Sequence, residues 1–322
     1  MAESSSLEED GITNVIATGM TQGIGLETLK QLVARPQAFR IAIGARNAQN
    51  TQIISKLERD IARYTKNPRT TVRFYPLDLA RPESVEAFVG QLQSSRAFPT
   101  SNEDRFSIDV LLLCAGTTTS QYRTTNVPPS HKRVEETIYV NVLSQARLIS
   151  LLLPHLASDA RISIVNSGLH MTAAKKFPGL SPATLEVELS PPKWASLKAY
   201  QISKLIEMHA TFIAKDRIEA STAGSHPTIL SVRPGFIPTT GLFRNAPWYA
   251  KPFLRILGWL PFASSTKIAA RVTILAMLDP TIASGSYLSK KGVEPVAPEC
   301  LDPAVRAIWA EWLDSLGVWR DS

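Results

Sequence analysis

Short apolar runs rich in valine and isoleucine alternate with amphipathic stretches over most of this chain. That alternation constrains its fold more than any other feature. The runs are "ITNVIATG" (12–19), "FRIAIGAR" (39–46), "TVRFYPLDL" (71–79), "IDVLLLCAG" (108–116), "RISIVNS" (161–167) and "TILSVRPG" (228–235). Between them lie "IGLETLKQLVAR" (24–35), "IISKLERDIARY" (53–64), "ESVEAFVGQLQ" (83–93), a long stretch over 131–154 and another over 196–217, all with helical spacing of apolar residues. Runs this short and this continuously apolar read as strands buried on both faces. Strand, helix and strand in succession make a parallel pair whose crossover helix covers one face. The expected class is therefore α/β, a doubly wound parallel sheet with helices on both faces. No repeat or low-complexity linker divides it, so residues 11–322 are expected to form one domain behind a disordered tail, 1–10. Ligands of such sheets sit beyond the carboxyl ends of the strands.

The first run ends in "TGMTQGIG", Thr18–Gly25, with glycines at 19, 23 and 25 and a helix directly after. Glycine lets the backbone turn tightly and approach a pyrophosphate, and the helix N-terminus favours its charge. The second run ends in "GARN". An acid at this point would bind the ribose hydroxyls of NAD. Arg46 stands there instead, and a guanidinium suits a ribose 2′-phosphate, so NADP(H) is the expected cofactor. Further on, "KAYQISKL" (198–205) puts Tyr200 and Lys204 one helical turn apart on the same face. An ammonium beside a phenol favours its ionised form. Alone, this pair is common on ordinary helices.

Composition narrows the function. The formal charge is +7, but the 35 Lys and Arg are dispersed without a long run, which argues against nucleic-acid binding and suits an anionic cofactor. The two cysteines, Cys114 and Cys300, form no metal-type pair and no disulfide framework, which points to a reducing cytosolic compartment. The acidic N-terminus "MAESSSLEEDG" lacks the pattern of a signal peptide, and no apolar stretch is long enough to span a bilayer. The five histidines show no ligand spacing, so no metal is expected. His170 is expected to line the site.

"TGMTQGIG", "LDL" (77–79), "CAG" (114–116), Asn141 in "YVNVL", Ser167 in "VNSGLH", "YQISK" and "RPGFIPT" (233–239) follow one another in the order found in short-chain dehydrogenases/reductases. The resemblance covers about residues 12–240. The stretch around Ser167, the long interval to Tyr200 and "SGSYLS…EPVAPECLDPAVRAIW" resemble the retinol-dehydrogenase-like branch, which includes many fungal reductases, ketoreductases of secondary metabolism among them. The resemblance implies a Rossmann-type fold and a catalytic set of Asn141, Ser167, Tyr200 and Lys204. Tyr200 would be the general acid/base. Lys204 would bind the nicotinamide ribose and lower the tyrosine pKa. Ser167 would steady the substrate oxygen, and Asn141 would hold the helix geometry that keeps a water in the proton relay. It also implies cofactor contacts at Thr18, Gly19, Gly23, Ile24, Gly25, Asp78, Leu79, Ala115, Gly116, Pro234, Gly235, Ile237 and Thr239. Two departures stand out. Cys114 replaces the usual asparagine, and Gln22 replaces the basic residue that many NADP-dependent members carry.

The family builds its substrate lid after the "PGFIPT" stretch. Residues 236–265 are therefore expected to form a lid, before C-terminal helices and a last strand over 266–322. Within it, 240–263 carries Phe243, Trp248, Tyr249, Phe253, Leu254, Trp259 and Phe262 and would cover a bulky apolar carbonyl or alcohol. A second reading of 248–263 is peripheral contact with a membrane surface. The segment 170–196 would form the facing wall. The competing functional class is a catalytically silent NADP-binding sensor or scaffold of the same fold. The oligomeric state, monomer or homodimer, is left open by the sequence.

Overall fold

The computed structural model describes residues 11–95, 97–98, 106–221, 226–235, 237 and 264–319. The tail 1–10, Thr239 and the expected lid over 240–263, with its alternative as a membrane contact, lie outside the described residues. The chain begins β1 (Ile12–Thr18), α1 (Gly23–Val33), β2 (Ala38–Ala45), α2 (Thr51–Ala62), β3 (Thr71–Pro76), α3 (Pro82–Ser94) and β4 (Ile108–Leu113). A hairpin of β5 (Thr124–Val127) and β6 (Lys132–Glu135) precedes α4 (Glu136–Ile138), a π-helical turn (Tyr139–Leu143) and α5 (Ser144–Leu152). Then come β7 (Leu156–Val165), α6 (Leu169–Lys176), α7 (Pro182–Glu188), α8 (Ser196–Ser221), β8 (Thr228–Val232), α9 (Thr266–Leu278), β9 (Tyr287–Ser289), β10 (Gly292–Val293) and α10 (Pro303–Ser315).

The main sheet has the order β10-β9-β8-β7-β4-β1-β2-β3, parallel throughout except for β9 with β10. The chain winds outward through β2 and β3, then crosses back to lay β4 on the other side of β1. The crevice at the carboxyl ends of β1 and β4 is thus the point where the winding reverses, and it is where such sheets bind ligands. Both faces are covered. Leu29 and Leu32 of α1, Ile61 of α2 and Met277 of α9 pack on one side with Phe39 and Ile41. Phe88 and Leu92 of α3, Leu148 of α5, Leu205 and Ile206 of α8 and Trp309 of α10 pack on the other.

Each quoted apolar run overshoots its strand. Residues 77–79, 114–116, 166–167 and 233–235 have left the sheet at its carboxyl edge, and these are the residues with the motifs.

The long helix expected over 131–154 is corrected at both ends. Pro128 and Pro129 supply no backbone N–H, His131 turns the chain with φ 55°, and Lys132–Glu135 pairs with Thr124–Val127. The helix starts only where the Glu135 carboxylate accepts from Ile138 N at 3.0 Å. It passes into a 3-10 turn at Leu153–His155. The segment 170–196 holds all but the first residue of α6 and the whole of α7, which the sequence reading did not resolve as helices.

α8 breaks the amphipathic rule. From Gln201 to Ala214 every residue is buried, Ser203, Lys204, Glu207, His209 and Thr211 included. The helix is enclosed by α4, α5, α6 and α10 as well as by the sheet strand β8. Its polar residues therefore have to find partners inside the protein.

Candidate active site

The turn after β1 is built for close approach of backbones. Gly19 has φ +73°, and a Cβ there would lie 2.5 Å from Ala115 N; one at Gly25 would lie 2.1 Å from Gly19 O. No L side chain fits at either position. Gly23, at φ +59°, opens α1, and the space around it is clear. The N-cap, Gln22, makes no side-chain cap, and the first turn of α1 holds no acid. Its leading N–H groups are therefore free of any intrinsic anion. Across the crevice, Ala115 N donates to Thr18 Oγ1 at 3.2 Å and ties the ends of β4 and β1 together. Ile24 is half-buried beside this turn.

Arg46 is exposed directly beyond β2, followed by Asn47 and with no acid beside it. Asp78 lies past β3; its carboxylate caps Ala80 N at 3.1 Å, and its own N–H donates to Ser84 Oγ at 2.9 Å. Leu79 is buried. Pro234, Gly235 and the buried Ile237 follow β8, with Gly235 at φ +88° against Ser264. These positions surround the carboxyl edge of the sheet. A glycine cradle, an uncapped helix N-terminus and an exposed guanidinium form a donor set that fits an NADP-type dinucleotide.

Beside the crevice, α8 brings Tyr200 and Lys204 together with Ser167. The Lys204 Nζ lies 5.8 Å from the centroid of the Tyr200 ring, and Ser167, whose Oγ accepts from Leu169 N at 3.2 Å, is near enough to the phenol to act on its pKa. Burial lifts the Tyr200 pKa above its ordinary value; Lys204 and, least, Ser167 pull it down, while Glu207 pushes it up. Lys204 thus acts in the expected direction, but in the chain alone burial outweighs it. For Lys204 itself burial works downward. The Glu207 charge, Tyr200 and the Glu207 hydrogen bond outweigh it, and the ammonium is held above its usual range.

Asn141 lies in the π-helical turn and is fully buried. Its Oδ1 accepts from Thr117 N at 2.7 Å, and its Nδ2 donates to Thr117 O at 3.0 Å and to Ser203 Oγ at 2.9 Å. Ser203 Oγ in turn donates to Tyr200 O at 2.8 Å. One amide therefore clamps the loop after β4 to the face of α8 that carries Tyr200 and Lys204. Gly116 sits at this junction: a Cβ there would meet Asn141 Oδ1 at 3.7 Å and Lys204 Nζ at 3.8 Å.

His170 does not line the site. It is fully buried beneath it, with Nδ1 2.8 Å from Ser167 O and Nε2 3.3 Å from Ala297 N. A carbonyl on one side and an N–H on the other fix the neutral tautomer with its proton on Nδ1. Burial also lowers its pKa. Cys114 is no nucleophile at neutral pH, since burial pushes its thiol up to about 12 against the pull of Lys204. Sequence reading missed Glu207, Gln145 and Ser203. The spacing of Tyr200, Ser203, Lys204 and Glu207 (i, i+3, i+4, i+7) would have placed them on one helix face.

A family model described as short chain dehydrogenase matches residues 13–179. A short-chain dehydrogenase/reductase of Pestalotiopsis microspora is 30% identical over 72% of this chain and 72% of its own length. A short chain dehydrogenase of Arthrobotrys oligospora is 26% identical over 94% of this chain and 91% of its own. Among solved structures, an angucycline C-6 ketoreductase with bound NADP superposes with a TM-score of 0.60 at 16% identity, covering 86% of this chain and 93% of that one. A blue fluorescent protein in complex with NADPH gives 0.57 at 20% identity, over 86% and 95%. At such identities the structures show the fold alone. The family match, the curated relatives and the sheet order agree, and the chain belongs to the short-chain dehydrogenase/reductase family of oxidoreductases.

Proposed function

We propose that the protein is an NADP(H)-dependent reductase that interconverts a carbonyl and an alcohol on a bulky apolar substrate of secondary-metabolite, retinoid or steroid type. The grouping of Tyr200, Ser167 and Lys204 at the carboxyl edge of the sheet carries this reading. The family is one of nicotinamide-dependent oxidoreductases, and NADP in the ketoreductase and NADPH in the fluorescent protein support the phosphorylated cofactor. The turn Thr18–Gly25 would hold the pyrophosphate, Arg46 the 2′-phosphate, and Asp78 and Leu79 the adenine. Ala115, Gly116, Pro234, Gly235, Ile237 and Thr239 would hold the remainder. The bound cofactor supplies the hydride.

The chain's own residues do the rest. Ser167 donates a hydrogen bond to the substrate oxygen and steadies the charge that develops there. Tyr200, kept protonated by burial, gives its phenolic proton to that oxygen. Lys204 stabilises the phenolate left behind. Asn141 keeps α8 and the loop after β4 in register. The preference for apolar substrates rests on the aromatic content of 240–263.

The test is NADPH oxidation by the purified protein with a panel of apolar ketones, alongside Tyr200→Phe. The wild type should turn over at least one lipophilic ketone, and the variant should lose about 10²–10⁴-fold in kcat while still binding NADPH. A Phe variant with wild-type turnover overturns the assignment of Tyr200. A protein that binds NADPH without reducing any ketone is the silent sensor instead.

A further inference from the structure

Glu207 follows Lys204 on α8, and the two side chains are 4% and 3% exposed. Lys204 Nζ donates to the two carboxylate oxygens at 3.0 and 2.8 Å and to Val165 O at 3.1 Å. Those contacts use all three donors of the ammonium. Among the described residues, Glu207 is the one carboxylate paired with this lysine.

The other groups near Lys204 cannot replace it. Tyr200, one turn back on α8, is neutral in the resting state. Cys114, after β4, is a thiol held protonated by burial. β7 offers the Val165 carbonyl, and α5 offers the neutral amide of Gln145. Farther out, Tyr287 of β9 is raised by burial, Arg233 after β8 is paired with Glu294, and His170 of α6 is neutral.

Behind the carboxylate lies a cavity of about 10 Å³ lined by Val142, Gln145, Ala146, Ile149, Glu207 and Thr211, among others. That is room for about one water molecule. Gln145, 3% exposed, faces this space; its Nε2 donates to Ala115 O at 2.8 Å, and its Oε1 has no partner among the described residues. Gln145 and Thr211 apart, the lining on the far side of Glu207 is apolar, so Lys204 is the partner on which the charge of the carboxylate depends.

We propose that Glu207 is a positioning residue, the buried counter-ion that keeps Lys204 protonated and fixed beside Tyr200. The proposal rests on the reading of Tyr200 and Lys204 as the proton-transfer pair. An unpaired lysine in such a setting falls by about 3–5 pH units. Losing Glu207 would then leave Lys204 neutral over the upper part of the physiological range, and the phenolate of Tyr200 would lose its nearest cation.

The experiment compares wild type, Glu207→Gln and Glu207→Asp. Lysine ε-carbons are followed by 13C NMR through a pH titration, with Lys204→Arg to assign the signal. Lys204 should stay protonated beyond about pH 9 in the wild type and titrate at least about two units lower in Glu207→Gln, with Glu207→Asp between them. Kinetically, ketone reduction by Glu207→Gln should fall at least about tenfold at about pH 9 and stay within about threefold of wild type at about pH 6, where Lys204 is charged in both. A general folding defect would lower both rates alike. Lys204 midpoints that coincide in all three proteins overturn the proposal, as does a loss in Glu207→Gln that is equal at both pH values. If Glu207→Gln does not fold, the Lys204 midpoint in Glu207→Asp decides: lower than wild type supports the role, unchanged ends it. If the wild type reduces no carbonyl, the functional reading fails, while the NMR titration still tests Glu207.

Discussion

Asn141→Ala is the substitution whose cost can be worked most directly from the geometry. The side chain is fully buried and makes three hydrogen bonds, two to the backbone of Thr117 and one to Ser203. Alanine removes all three and fills none of the space. At a net contribution of about 1 kcal/mol each, the direct loss is roughly 3 kcal/mol. Thr117 is only half-buried, so water can reach part of what is left and bring the loss down; the gap where the amide stood brings it up. The expected destabilisation is about 2–4 kcal/mol. Ser203→Ala provides the scale, since it deletes one of the three bonds to Asn141 together with the Ser203 Oγ bond to Tyr200 O, and should cost about 1–2 kcal/mol.

The assay is urea unfolding, with the midpoints compared at unchanged slope. Asn141→Ala should unfold at a clearly lower urea concentration than Ser203→Ala. If the two midpoints coincide, the Thr117 clamp contributes nothing and Asn141 is not the brace described above. The double variant sharpens the result: Asn141 and Ser203 share one bond, so their effects should sum to more than the double variant loses.

Gly25→Ala places a Cβ 2.1 Å from Gly19 O, so the turn must open; a loss of about 1–3 kcal/mol and of NADPH binding is expected, and a variant with both intact would refute the cradle. Arg46→Ala should lower the ratio of kcat/KM for NADPH over NADH by at least about tenfold, and an unchanged ratio would remove Arg46 from the 2′-phosphate site. For His170, the folded pKa lies below the ordinary 6.5 because of burial, so its contribution is present above that value and is lost as pH falls through the folded pKa. His170→Gln should flatten the fall in melting temperature below about pH 6.5 relative to wild type. The variant comparison isolates this group, because Glu207, held up at about 7 by burial, works with the opposite sign and gains stability as pH falls from there.

The sheet was legible because its strands are buried on both faces, and continuous apolar runs have few other uses. The turn at Gly19–Gly25 was legible because its glycines mark steric demands that the structure measures at 2.5 and 2.1 Å. The start of α4 was not, because Lys132–Glu135 has no period that separates a short exposed strand from a helix turn; Pro128 and Pro129 were the usable signal. α6 and α7 escaped because a seven- or eight-residue helix offers two turns of pattern at most. His170 was misplaced for a different reason. Proximity in sequence to Ser167 suggested the site, but the imidazole points to the backbone of the serine rather than past its hydroxyl.

Glu207 was invisible for the reason that makes α8 unusual. Sequence reading assumes that a carboxylate on a helix faces water. On α8 that assumption fails, since α6 and α10 enclose the side that the sheet leaves free. Polar groups can stay in such a helix only as pairs: Ser203 with Asn141 and Tyr200 O, Lys204 with Glu207, Thr211 Oγ1 with Glu207 O at 2.8 Å. The pairing has a consequence for function. A lysine that must stay charged next to a tyrosine gains by being buried, because its field is then stronger than in water. The same burial would strip its proton unless an anion were buried with it. An enclosed α8 therefore requires a carboxylate within reach of Lys204, and the helix supplies it at i+3. The C-terminal segment completes that enclosure. Ala297 N binds His170, which holds Ser167 O, and Trp309 of α10 stacks on His209 with ring centroids 5.8 Å apart. Residues far beyond the matched segment 13–179 thus help to bury the helix that carries the Tyr200–Lys204 pair.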